Sequence, residues 1–418
     1  MTPPDPAHHA RRSPPSRLRR LVEVKPLYLD HAATTPLDPE VRAAMLTWLG
    51  DRFGNPSSVH GHGRQARAAV DEARDRVADA AGCAAREVTF TSGGTEADNL
   101  ALRGVLERWG PERGRHLVVS AVEHEAVLAT ADALAGAGRA ELTVVGCDRS
   151  GRVDPAEVAA AIRPDTVLVS VMLANNEIGT VEDVASIAGA VRARNPRALV
   201  HTDAVQALGR LPLGLDALGV DLISLSAHKA YGPQGVGALV ARHGVFPAAQ
   251  LTGGGQERGR RSGTENVAGV AGFGVAADLA DRRRETDVAG LVNLTGRLTN
   301  LLTAIPGVEP TGDRTRRLPG LCSFVVAGCR SDLLLAVLDE LGVCASAGSA
   351  CSSGAPVPSH VLAAMGFGEL SGCALRLALG RSTTEADVDV AAARVERAVS
   401  RIRSAGSAAG SAAAAAAG

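Results

Sequence analysis

Leu222-Ile223-Ser224-Leu225-Ser226-Ala227-His228-Lys229 is an apolar run that ends in a hydroxyl, an imidazole and an amine. Upstream, Leu199-Val200-His201-Thr202-Asp203-Ala204-Val205-Gln206 repeats the pattern and ends in a carboxylate and an amide. Buried strands of a parallel sheet deliver side chains to a site in this way. Further apolar runs at 88–90, 117–120, 142–145, 167–172 and 238–240 alternate with helical patterns at 126–137, 155–162 and 184–194. That alternation predicts an α/β domain with a large, mostly parallel sheet covered on both faces.

Few chemistries want a lysine beside an acid at strand ends. The leading one uses pyridoxal 5'-phosphate: Lys229 would form the Schiff base, and Asp203 would keep the pyridine nitrogen protonated. Taken alone, Asp203 and Lys229 read more simply as a structural ion pair, so the neighbouring motifs decide. Phe90-Thr91-Ser92-Gly93-Gly94-Thr95-Glu96 reads as a strand, a glycine turn and a helix start. Such a start offers backbone N–H groups and a favourable dipole to a phosphate, and Thr95 can cap the helix and bind the anion. The GxGxxG and GxxxxGK[ST] patterns are absent here, which argues against dinucleotides and nucleoside triphosphates. His124 follows another strand-like run; alone it reads as an ordinary hydrogen-bonded histidine, but in this company it can stack on the ring and move protons.

Composition narrows the classes further. The chain has 418 residues, 45% hydrophobic and 21% charged, with a net charge of −1 and 2% aromatics. Direct nucleic-acid binding and anionic membranes are therefore not expected, and no apolar run is long enough to span a bilayer. Residues 1–26 are Pro/Arg-rich without an apolar signal region, so a disordered extension and a cytoplasmic protein are expected. Residues 404–418 are Ala-rich and read as a disordered tail. Seven cysteines without a CxxC pair argue against a disulfide framework.

Between these ends we expect a large α/β domain over 27–285, with the 27–40 segment packing against a smaller α+β domain over 286–403. A strand at 321–326, a helix at 331–341, a strand at 374–378 and a last helix from about Thr384 make up the smaller unit. It carries Ala345-Ser346-Ala347-Gly348-Ser349-Ala350-Cys351-Ser352-Ser353-Gly354-Ala355-Pro356. A cysteine among small residues predicts a mobile loop with an exposed, reactive thiol. A metal site from Cys344, Cys351 and His360 matches no familiar zinc spacing, and no resident metal is expected.

Together these motifs resemble one family, the pyridoxal-phosphate-dependent cysteine desulfurases of the class V aminotransferases, of the iron–sulfur-assembly and nitrogen-fixation type. The resemblance runs from about Tyr28 to Ile402. It includes Asp30-His31-Ala32-Ala33-Thr34-Thr35-Pro36, Phe53-Gly54-Asn55-Pro56-Ser57-Ser58, Glu123-His124, Asn175-Asn176-Glu177-Ile178-Gly179, Arg261-Ser262-Gly263-Thr264 and Leu375-Arg376-Leu377. Loop length to Pro358 is similar to that of the family's long-loop group. The resemblance implies a fold-type-I homodimer that converts L-cysteine to L-alanine and holds the sulfur as a persulfide on Cys351. It implies that Gly94, Thr95, Ser226, His228 and the partner's Thr264 bind phosphate, with Asn176 and Gln206 at the ring substituents. Asp203 would hold the ring nitrogen, His124 would stack on the ring, and Arg376 with Asn55 would hold the substrate carboxylate. Cys351 would pass sulfur to an acceptor protein, such as an iron–sulfur scaffold or a tRNA-thiolation enzyme. An aminotransferase or selenocysteine lyase would keep Lys229 and Asp203 but would not need Cys351. A non-catalytic sulfur-transfer scaffold would need neither Lys229 nor Cys351.

Overall fold

A computed structural model describes residues 26–348 and 358–417, with side chains as far as residue 406. Cys351 and the N-terminal Pro/Arg-rich extension lie outside the described residues, apart from residue 26. Seven described strands form the large sheet. Their spatial order is Val88–Thr91, Gly237–Ala241, Leu222–Ser226, Leu199–Asp203, Thr166–Ser170, His116–Ser120 and Glu141–Val145. Gly237–Ala241 runs against both neighbours, whereas the other pairings are parallel. Six strands therefore end on one side of the sheet.

Every strand except the edge strand Glu141–Val145 is buried along its whole length. That double-sided burial explains why the sequence shows continuous apolar runs and not alternation. Successive residues still face opposite layers. Val118, Val169, Val200 and Ile223 pack beneath the helices Gly61–Ala80, Val184–Arg194 and Val267–Thr303. Leu117, Leu168, Leu199 and Leu222 face the helices Gly94–Arg113 and Glu125–Gly136.

A three-stranded antiparallel sheet, in the order Ala374–Ala378, Leu321–Val326 and Val308–Pro310, forms the second core. The last helix buries Val388, Ala391, Val395 and Val399 against it, at helical spacing. The position chosen from the sequence to divide the chain, 285/286, falls inside one continuous helix, Val267–Thr303. Its first half places Val270, Phe273 and Ala277 in the core of the large sheet, and its second half places Leu291, Leu298 and Leu302 in the second core. A helix of this length is about 55 Å long, enough to reach both.

The last helix, Glu385–Ala417, continues through the segment expected to be a structureless tail from 404. Alanine has the highest helix propensity of any residue, which suits this segment to a helix. The helix starts as expected: Thr384 Oγ1 accepts from Asp387 N at 3.2 Å while Asp387 Oδ2 accepts from Thr384 N at 2.9 Å.

The N-terminal segment serves both units. Leu27–Tyr28 pairs in parallel with Val343–Cys344. Residues 30–35 then cross to the end of the large sheet, where Thr35 N donates to His228 O at 3.0 Å.

One buried ion pair ties the edge strand Val88–Thr91 to the helix behind it. Arg74 Nη2 and Nη1 donate to Glu257 Oε1 and Oε2 at 2.6 and 2.8 Å, and Phe90 N donates to Glu257 Oε2 at 2.9 Å. Removing one partner strands a charge in the core, so Arg74→Ala is expected to lower the unfolding free energy by about 3–5 kcal/mol. Urea unfolding checks this; an unchanged midpoint would show that the pair is dispensable.

Candidate active site

At the carboxyl ends of five parallel strands lies a cavity of about 370 Å³. Each strand supplies its next residues. Val88–Thr91 leads to Gly94 and Thr95, His116–Ser120 to His124, and Thr166–Ser170 to Met172 and Asn176; Leu199–Asp203 ends at Asp203 itself, and Leu222–Ser226 leads to His228 and Lys229. Gln206, Ser226 and Arg376 complete the expected set lining the cavity. An adjoining hollow is lined by Thr34, Gly94, Thr95, Ser226 and His228. Asn55 and Thr264 are exposed and do not line the cavity. The side chain of Asn55 instead accepts from Ser57 N at 2.9 Å, a local Asx turn that holds it in its own loop.

The lysine turn is pinned by the N-terminal segment. Lys229 Nζ donates to Ala32 O and Ala33 O, each at 2.6 Å, and Gln206 Nε2 donates to Ala32 O at 2.9 Å. His228 Nδ1 lies 3.1 Å from Thr34 Oγ1. At the opposite end, Gly93 caps the helix with φ +154°, a conformation suited to glycine, and a Cβ on Gly94 would fall 2.6 Å from Val205 Cγ2. Glycine there leaves room for the backbone to approach a ligand. A phosphate at this helix start, near Thr95, Ser226 and His228, would meet backbone N–H and side-chain donors, with Glu96, held by Arg261, at the edge of the hollow.

His124 caps the helix Glu125–Gly136, accepting from Ala126 N at Nδ1 over 3.0 Å. A neutral ring therefore carries its proton on Nε2. Asp203 is buried and accepts from Val205 N at 2.8 Å. Burial raises its pKa, and the charges of His124 and Lys229 pull the other way. A buried carboxyl group, a lysine and a phosphate-type helix start around one cavity fit pyridoxal phosphate in donor set and charge.

Arg376 is almost fully buried. Its Nη1 donates to Asn176 O and Gly348 O at 2.8 and 3.1 Å, and its Nη2 to Asp30 Oδ1 at 2.8 Å. Its Nε has no partner among the described residues. Among the other lining residues, Asp98, Glu125 and His360 carry no catalytic or cofactor role in the sequence reading, His360 being weighed there only as a metal ligand. Asp98 sits one helical turn after Gly94, so the i, i+4 rule could have found it. His360 lies in another part of the chain and its Nε2 is 3.0 Å from Glu123 O; no local pattern announces it.

Six cysteines are described, and all are free. None lines the cavity, and each has its thiol pushed up by burial, Cys83 to about 12 and Cys147 and Cys322 to about 11.

The buried ionisable groups predict how stability follows pH. Burial lowers His31 and His228 to about 4 and His201 to about 3, and raises Glu123 to about 8 and Glu182 to about 7. The histidines bind more protons when unfolded, so they cost stability as pH falls from about 6.5 towards 4. The glutamates bind more protons when folded. Their contribution is complete below about pH 4.5 and is lost as pH rises to 8. Above about pH 6.5 the carboxyl groups dominate, so the urea midpoint of the cofactor-free protein should fall between about pH 6.5 and 8. Glu123→Gln should flatten that fall; a midpoint that rises over the interval contradicts the assignment.

Comparison with known proteins agrees with this geometry. The aminotransferase class-V family pattern matches residues 27–390. The chain is 43% identical over 380 residues to the cysteine desulfurase IscS of Dictyoglomus turgidum, covering 90% of this chain and 95% of that one. The solved structure of a NifS-like protein superposes with a TM-score of 0.84 at 34% identity, over 90% of this chain and 99% of that one. A structure of SspA in complex with cysteine superposes with a TM-score of 0.75 at 31% identity, over 86% and 100% of the two chains. Among the described residues no helix is long and apolar enough to cross a membrane.

Proposed function

The chain belongs to the class-V aminotransferase family, among its pyridoxal-phosphate-dependent cysteine desulfurases, and from that premise we propose that it stores the sulfur of L-cysteine as a persulfide on Cys351. The observation that carries this reading is the position of Gly348. It lines the cavity, and Cys351 follows three residues later, within about 10 Å of chain. None of the six described thiols has such access, and burial holds each in the protonated form.

When bound, the cofactor supplies an electron sink for charge developing at the substrate Cα. Lys229 would anchor it covalently, and its amine would move the substrate Cα proton. Asp203 holds the ring nitrogen's proton, and His124 carries protons at Nε2. Gly94, Thr95, Ser226 and His228 would hold the phosphate, and Asn176 and Gln206 would contact the ring substituents. Arg376, which lines the cavity, would hold the substrate carboxylate. The Cys351 thiolate then attacks the substrate sulfur; an S–S bond forms, the C–S bond breaks, and alanine leaves. Sulfur passes on to an acceptor protein of iron–sulfur assembly or tRNA thiolation, in a reducing, cytoplasmic setting suited to thiol carriers.

Thr264 and Asn55 enter this scheme through a homodimer. Arg67 joins their segments, with Nη2 donating to Glu265 Oε1 at 2.8 Å and Nε to Pro56 O at 3.4 Å. Exposed apolar residues, Leu49, Phe53 and Val59, lie close by in sequence. A surface of this kind fits burial against a second copy, which would bring Thr264 to the partner's phosphate.

The test is release of sulfide and alanine from L-cysteine by the purified protein with an added thiol reductant, with mass spectrometry of Cys351 after one turnover without reductant and sedimentation of the protein. Equimolar products, an added sulfur on Cys351 and a dimer are expected. Alanine without a Cys351 adduct would favour a lyase that does not use this thiol.

A further inference from the structure

Beside Asp203 lies a second buried carboxyl group that the chemistry above does not use. Asp98 lines the cavity, is 1% exposed, and its Oδ1 has no hydrogen-bond partner among the described residues. Ser224 hydrogen-bonds to the carboxyl group and favours its charge, but less than burial and Asp203 oppose it. His201 Nε2 is 3.6 Å from Asp98 Oδ1 and 2.9 Å from Ser224 Oγ, while His201 Nδ1 is 2.8 Å from Ser170 Oγ. Burial keeps that imidazole neutral down to about pH 3. The nearby ionisable groups on other elements, Asp203 and Glu123, are acids, and both oppose a negative charge on Asp98.

We propose that Asp98 is a positioning residue that remains a neutral carboxylic acid, leaving Asp203 to carry the single negative charge beneath the cofactor ring. The inference rests on pyridoxal phosphate occupying this cavity. Like charges close together in a dry site do not both ionise. Asp203 is the one with support: Lys229 and His124 favour its charge, and Val205 N donates to it. Asp98 has no cation within ion-pair distance among the described residues, and burial holds its proton on. The start of the helix Gly94–Arg113 favours a negative charge, but a helix terminus is a weak influence beside complete desolvation. The neutrality has a use. A second anion here would hold Lys229 and His124 in their protonated forms, where neither can accept a proton from substrate.

Asp98→Asn copies the shape of the neutral acid without its proton. It should bind pyridoxal phosphate within about threefold of the parent and leave the pH midpoint of the bound cofactor's absorbance unmoved. Asp98→Ala, which deprives Ser224 of a partner, should weaken binding by about tenfold. Infrared difference spectra of the cofactor-free protein, parent minus Asp98→Asn, should show a protonated carboxyl band at neutral pH. A carboxylate band in that spectrum, or a midpoint moved by about one pH unit in Asp98→Asn, overturns the proposal. Failure of the parent to bind pyridoxal phosphate overturns the cofactor reading instead, and the infrared spectrum still decides the state of Asp98.

Discussion

Cys351→Ser is expected to lower sulfide release from L-cysteine by about 10³-fold or more while the bound cofactor keeps its absorbance spectrum, because a hydroxyl cannot replace a thiolate as the attacking group. The spectrum should persist since the residues proposed to hold the cofactor, Gly94, Asp203, Ser226 and Lys229, line the cavity from the large sheet. Serine also keeps the size of the side chain, so a packing defect does not enter. Cofactor absorbance and stopped-flow changes on adding cysteine report the earlier steps, and sulfide reports the last. An early spectral change without sulfide isolates the loss to sulfur transfer. Undiminished sulfide release would remove Cys351 from the mechanism and bring back the lyase reading. Cys344→Ser is the control: its thiol is half-buried, pushed up by burial and outside the cavity, and little change in turnover is expected.

Lys229→Ala removes two functions at once. Its amine is the covalent anchor for the cofactor and the group that moves the Cα proton, and loss of proton transfer alone costs about 10²–10⁴-fold in turnover. Two readouts separate the functions. Borohydride treatment followed by mass spectrometry should find the cofactor fixed to Lys229 in the parent and absent from the variant. Equilibrium dialysis should show weakened but measurable binding, since the phosphate cradle and Asp203 remain. A variant that still fixes cofactor at another lysine would sink the assignment. The change also frees Ala32 O and Ala33 O, which accept from Lys229 Nζ at 2.6 Å each. Thermal unfolding of the cofactor-free variant therefore checks that the N-terminal segment stays docked.

Local chemistry along the chain determined much of this protein. Double-sided burial leaves strands as apolar runs, and the runs at 222–226 and 321–326 mark the observed strands Leu222–Ser226 and Leu321–Val326. Polar residues that end the run at 222–226 lie on the cavity side, because the parallel strands of the large sheet share one carboxyl edge. Gly93-Gly94-Thr95 announced a helix start suited to an anion, and only together with it did Lys229 and Asp203 point to the cofactor. What the tertiary structure alone decided is which distant groups surround that chemistry. Ala32 and Ala33 receive the lysine, Asp30 pairs with Arg376, and His360 reaches Glu123, across 197, 346 and 237 residues of chain respectively. Asp98 is an ordinary polar residue on a helix until His201, Ser224 and Asp203 close around it and exclude water. Propensity and periodicity act over a few residues and can be read from neighbours in sequence. Desolvation and charge coupling depend on every atom within several ångströms, and chain folding chooses those atoms from anywhere in the sequence.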